Sequence, residues 1–122
     1  MSILKDVAFW ASVLIIASAT FLILGGFLNK IVVIYNQGKM PVLCKTIKKW
    51  KAVEHNSKSG LHCVLKKSTR LKFLADKYII SEYTCSIGDL FIFFSILLFV
   101  ISLVIIIIAL CCGFLKEIIN QV

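Results

Sequence analysis

Hydrophobic positions in this chain fall in two long blocks separated by a mixed stretch. Residues 7–29 hold 23 positions without a charge, and residues 90–115 hold 26. At the rise of an α-helix these reach roughly 35 and 39 Å, more than the hydrocarbon core of a bilayer. A buried helix of a soluble domain rarely stays apolar on every face for so long. The pattern predicts two transmembrane helices. The first continues through Lys30 to Tyr35, because a lysine snorkels to the interface and a tyrosine suits the headgroup level. Its apolar run exceeds the h-region of a signal peptide, so it reads as an uncleaved span.

The stretch between the blocks carries helical periodicity twice. From Pro41 onward Leu43, Ile47, Trp50 and Val53 recur at three- and four-residue steps, with Lys45, Lys48, Lys49 and Lys51 mostly off that face. Proline fits the first turn of a helix. Residues 56–60 are a break. Residues 61–65 suit a short strand or an extended segment. Leu71, Leu74, Ala75, Tyr78 and Ile79 then repeat the helical pattern, with Ser68 and Thr69 offering a cap. Ser86 followed by Asp89 reads as the N-cap of the second span. The expected fold is therefore all-α: a two-span helical hairpin with two amphipathic interfacial helices in its loop. It forms one membrane domain, with a span at about 7–35, a loop at about 36–88 and a span at about 89–115.

The spans carry small residues at a seven-residue step. Ala11-Ser12, Ser18-Ala19 and Gly25-Gly26 mark the first, and Ser95, Ser102 and Ala109 the second. Such a repeat keeps one seam in register along a left-handed helix pair, and small side chains let backbones approach. The sequence leaves open whether the stripes meet each other or another copy.

Composition agrees with a membrane chain. Of 122 residues 60% are hydrophobic and 16% charged, which excludes an ordinary soluble domain and a disordered tail. The net charge of +8 sits in the loop, which holds eleven basic residues between Lys39 and Lys77 against Glu54, Asp76 and Glu82. Everything outside it is neutral overall. The positive-inside rule puts such a loop in the cytoplasm and both termini outside. Lys45, Lys48, Lys49, Trp50, Lys66, Lys67 and Lys72 are the expected contacts with an anionic membrane surface. Nucleic acid is not an expected partner, since no motif or aromatic platform accompanies the charge.

Candidate chemistry is sparse. Cys44, Cys63 and Cys85 lack metal-site spacing with each other or with His55 and His62, and no metal or cofactor is expected. Cys111-Cys112 near an interface reads as buried thiols, or as an acylation site in a eukaryotic host. Asp89 is explained by capping, Asp76 by an i,i+4 pair with Lys72, and Asn29 by a bond to backbone or to a loop group such as the one holding Asp89. No catalytic triad, phosphate loop or zinc-protease motif occurs.

Three stretches carry a family resemblance. They are residues 24–29 with 36–42 (LGGFLN, NQGKMPV), 69–76 (TRLKFLAD) and 86–90 (SIGDL). In this order and spacing the chain resembles an uncharacterised family of prokaryotic integral membrane proteins, a domain of unknown function. The resemblance covers residues 24–94 and implies that the chain corresponds to the C-terminal half of that architecture, or to a subunit completed by a partner. It implies a bacterial cytoplasmic membrane and no catalytic residue. The motif positions Asn29, Asn36, Gly38, Met40, Pro41, Arg70, Asp76, Ser86, Gly88 and Asp89 become the candidate functional residues. Lipoprotein signal peptidases are similar more distantly. Asp89 matches one of their two catalytic aspartates, but Val32 stands where the other would fall.

The expected function is that of a non-enzymatic accessory or scaffold subunit. Its basic loop docks on anionic headgroups or on a partner, either another membrane protein or a second copy. The alternatives are a small pore former, which needs a polar stripe that five mild hydroxyls barely supply, and a membrane enzyme acting on lipid or lipopeptide.

Overall fold

The computed structural model describes residues 2–57, 60–80 and 83–121. Among the described residues two long helices, α1 (Ser2–Tyr35) and α3 (Ile87–Gln121), flank four short strands and a short helix in sequence. These are β1 (Met40–Val42), α2 (Ile47–Ser57), β2 (His62–Val64), β3 (Tyr78–Ile80) and β4 (Tyr83–Cys85). Both long helices contain a segment apolar enough to cross a membrane, Lys5–Tyr35 and Ile87–Gly113. Only about a tenth of each most apolar stretch is buried. Phe9, Ile16, Ile23, Phe93, Ile107 and Leu110 are among the many large side chains left open. Such a surface suits lipid rather than water. The chain is a small membrane protein with two candidate spans, consistent with a helical hairpin.

The chain divides into two compact units, residues 1–22 with 93–122 and residues 23–92. In the first, the buried positions among the described residues are Ala11, Ser18, Ser95 and Ser102. These belong to the two seven-residue stripes, and the stripes face each other. The Ser18 hydroxyl donates to the Ser95 carbonyl at 2.9 Å, and the two hydroxyl oxygens lie 3.3 Å apart. Phe21 and Phe94 meet edge to face at 5.1 Å. Ser12 and Ala19, the other halves of the doublets, are exposed. Ser18→Ala is expected to destabilise the helix pair by about 0.6 kcal/mol, typical of an interhelical hydroxyl bond. Ser18→Leu is expected to cost about 1–3 kcal/mol by overpacking. Detergent-titrated unfolding of the two variants measures both.

The second unit is where the all-α expectation is corrected. Pro41 starts no helix. Met40–Val42 is a buried strand, parallel to His62–Val64, with Met40 opposite His62. On its other edge Val42 bridges Asp76. The Asp76 N–H donates to the Pro41 carbonyl at 3.0 Å, and the Leu43 N–H to the Asp76 carbonyl at 2.8 Å. Neither bond needs the N–H that proline lacks, so Pro41 sits between two neighbours without an orphaned group. Helix α2 is the crossover, and it begins at Ile47, not at Pro41. Thr46 caps it, its Oγ1 accepting from the Lys49 N–H at 3.2 Å.

The second amphipathic helix, expected over 71–79, is not formed. Leu71 is left-handed (φ 52°), a 3-10 turn follows at Lys72–Leu74, and Tyr78–Ile80 pairs antiparallel with Tyr83–Cys85. The aromatic and β-branched run there suits a strand. Thr69 caps no helix either. It closes a turn by accepting the Lys66 N–H at 2.8 Å. The strand expected within 61–65 is present as β2. Val32, Met40 and Leu74 form the small core, flanked by Leu28, Val33, Leu71 and Ile87. Lys58 and Glu82 and the side chains of Glu54 and His55 lie outside the described residues.

Candidate functional site

Within the second unit the three landmark stretches meet. The α3 N-terminus is a reciprocal cap. The Asp89 N–H donates to the Ser86 hydroxyl oxygen at 3.0 Å, and the Ser86 N–H to Asp89 Oδ2 at 2.9 Å. Asn29 of α1 closes the circuit. Its amide donates to Asp89 Oδ1 at 2.7 Å, and its Oδ1 accepts the Ser86 hydroxyl at 2.7 Å. Ser86 is fully buried. At Gly88 a Cβ would overlap the Asn29 amide and stand 2.6 Å from the Gly25 carbonyl oxygen. A Cβ at Gly25 would stand 2.6 Å from the Gly88 carbonyl oxygen. Only a glycine pair lets the backbones come close enough for Asn29 to reach the cap.

A second clamp lies at the other end of this α1 segment. Gly38 donates its N–H to the Val33 carbonyl at 2.9 Å, after left-handed Gln37 (φ 60°) and Gly38 (φ 80°). This is a Schellman-type stop, with glutamine at the position glycine usually takes. Asn36 then holds Arg70 by its backbone. Its amide donates to the Arg70 carbonyl at 2.9 Å, and its Oδ1 accepts the Arg70 N–H at 3.0 Å. The Arg70 side chain takes no part in this clamp. Gly38 therefore serves the expected turn, and Met40 and Pro41 serve β1.

Asp76 differs from its sequence reading. It does not pair with Lys72, whose ammonium contacts the Lys67 carbonyl. It is buried, and its Oδ1 has no hydrogen-bond partner among the described residues. Burial and then the nearby Asp89 charge push its carboxyl up to about 6, against weaker opposing pulls from His62 and Lys49. The folded state thus holds the Asp76 proton more tightly than the unfolded chain. Its contribution is full below the ordinary value of 3.8 and is lost as pH rises through about 6. Asp76→Asn is expected to stabilise the protein at pH 7 and above, by up to about 3 kcal/mol, with the gain vanishing near pH 4. Thermal unfolding of both proteins across that range checks the sign.

The pattern of a family of unknown function, DUF5317, matches residues 7–115. The chain belongs to that family. No curated protein and no solved structure matches it. The match corrects the reading of the chain as a C-terminal half, because it includes both spans and not only residues 24–94. The inference that a partner supplies further family helices loses its basis.

Each Asp89 oxygen already accepts a hydrogen bond. Among the described residues no three His, Cys, Asp or Glu side chains converge on a metal-sized site. Burial pushes the thiols of Cys44, Cys63 and Cys85 up, which keeps them protonated and weakly nucleophilic at neutral pH. Cys111 and Cys112 are exposed free thiols, not buried ones. Of the expected surface contacts, Lys45, Lys48, Trp50, Lys66, Lys67 and Lys72 are exposed and Lys49 is half-buried. Sequence reasoning anticipated the cap and left Asn29 to Asp89 open. It missed the Gly25–Gly88 approach, whose signal was the place of Gly25 in the seven-residue step of small residues.

Proposed function

We propose that this protein is a non-enzymatic membrane scaffold whose basic loop seats on anionic lipid heads of the bacterial cytoplasmic leaflet. From there it presents a docking surface to another membrane protein or to a second copy. One observation carries this reading: the segment between the spans holds the whole net charge of +8, its described residues form the second unit with its strands and short helix, and most of its described lysines are exposed. Each lysine close to an anionic surface contributes about 1 kcal/mol. The positive-inside rule supports a cytoplasmic loop with both termini outside.

The pore reading has less support, because the span hydroxyls are already engaged. Ser12 and Thr20 bond carbonyls of their own helix at 2.8 and 2.9 Å, Ser102 bonds Phe99 at 2.7 Å, and Ser18 bonds Ser95. A lipid-directed enzyme has less support still, since both Asp89 oxygens are committed to the cap and to Asn29.

The test uses Trp10→Phe, which leaves Trp50 as the sole indole. In nanodiscs containing phosphatidylglycerol its emission should shift to the blue relative to phosphatidylcholine alone. Salt should reverse the shift, because exposed charges are screened within a Debye length. Emission indifferent to lipid charge would contradict the proposal.

A further inference from the structure

An open pocket of about 600 Å³ lies in the second unit, beside the last turn of α1. Its lining includes Lys66 and Arg70, the hydroxyl residues Ser68 and Thr69, and the aromatic rings of Tyr35 and Trp50. None of the described residues that line it is acidic. Neither Lys66 nor Arg70 has an ion pair among the described residues. Thr69 Oγ1 accepts the Lys66 N–H, which leaves its hydroxyl hydrogen available to donate. The pocket is also built in advance. Asn36 fixes the Arg70 backbone from both sides, and left-handed Leu71 follows directly.

Two uncompensated cations with hydroxyl donors are the chemistry that recognises a phosphate. Two features favour a phosphate carried on a lipid. The pocket lining includes Ile34 and Tyr35, which end the candidate span Lys5–Tyr35 and are 64% and 55% exposed. Tyrosine and tryptophan prefer the headgroup level. We propose that this pocket binds the phosphate of an anionic glycerophospholipid headgroup, with Lys66 and Arg70 supplying the charge. This rests on the lipid-facing role of the loop proposed above, and it replaces a diffuse surface with one site.

The test is native mass spectrometry of the full chain in mild detergent, titrated with short-chain phosphatidylglycerol, phosphatidylcholine or inorganic phosphate. Arg70→Gln with Lys66→Gln should lower phosphatidylglycerol affinity about tenfold, the loss of a charge-assisted contact. The variant should keep its unfolding midpoint, because only the backbone of Arg70 serves the Asn36 clamp. Lys5→Gln with Lys30→Gln removes the same charge outside the pocket lining and outside the basic loop, and should change affinity less than about twofold. Inorganic phosphate should not compete at matched concentration.

Equal losses in the two double variants would overturn the pocket and leave the proposed scaffold role standing. No loss in the first variant would overturn the pocket as well. Competition by inorganic phosphate would make it a soluble-anion site and overturn the lipid assignment. A wild-type protein that holds phosphatidylglycerol no better than phosphatidylcholine would remove both the pocket and the surface role.

Discussion

Gly88→Ala is expected to be the most damaging small substitution in the chain. The added Cβ would overlap the Asn29 side chain and stand 2.6 Å from the Gly25 carbonyl oxygen. Neither neighbour gives way freely. The Gly25 oxygen is backbone within α1, and the Asn29 amide is fixed by bonds to Asp89 and Ser86. The start of α3 must move away, and the Asn29 bonds break as it does. Overpacking costs about 1–3 kcal/mol. Buried polar groups left unpaired add about 1–3 kcal/mol. Gly26→Ala is the control, since a Cβ there meets nothing within 4 Å. It should be neutral or stabilising by up to about 1 kcal/mol, the helix propensity difference. A Gly88→Ala protein that unfolds at the wild-type midpoint would mean that the close approach is not made.

The second large effect concerns Asn29. Asn29→Leu strips Asp89 Oδ1 of its donor and Ser86 of its acceptor in a single step. Hydrogen bonds to charged groups contribute about 1.5–3 kcal/mol, and the stranded Ser86 hydroxyl adds to the loss. The expected destabilisation is about 3 kcal/mol or more. Asp89→Asn should cost less, because its side chain still offers one oxygen to a donor. Combining Asn29→Ala with Asp89→Asn should give a coupling energy above about 1 kcal/mol, as expected for side chains in direct contact. Simple additivity would contradict the network.

How far the fold was legible depends on the range over which each feature is decided. The spans needed only an unbroken apolar run, and the seam needed only small residues seven apart. The Ser86–Asp89 cap is local and was read as such. The loop was misread because non-local pairing decides it. Pro41 suits the first turn of a helix, but β1 finds its partners at residues 61–65 and at Asp76, which no nearby residue announces. Leu71 to Ile79 satisfies a helical period, yet left-handed Leu71 interrupts it and the strand at Tyr83–Cys85 claims its end. Asp76 looked like a solvated partner for Lys72. It is buried because its backbone completes the edge of β1. Among the candidate residues the Ser86–Asp89 contact was legible, while the hold of Asn36 on the Arg70 backbone was not.

Sidedness is the most direct measurement. All five native cysteines are replaced by serine, and one cysteine is introduced as Ser2→Cys or as Ser68→Cys. Each protein is then treated with a membrane-impermeant maleimide in intact bacterial cells and after permeabilisation. The Ser2→Cys protein should label in intact cells, and the Ser68→Cys protein only once the membrane is opened. Labelling of Ser68→Cys from outside, or of both positions from the same side, would contradict a hairpin that holds its basic loop against the cytoplasmic leaflet.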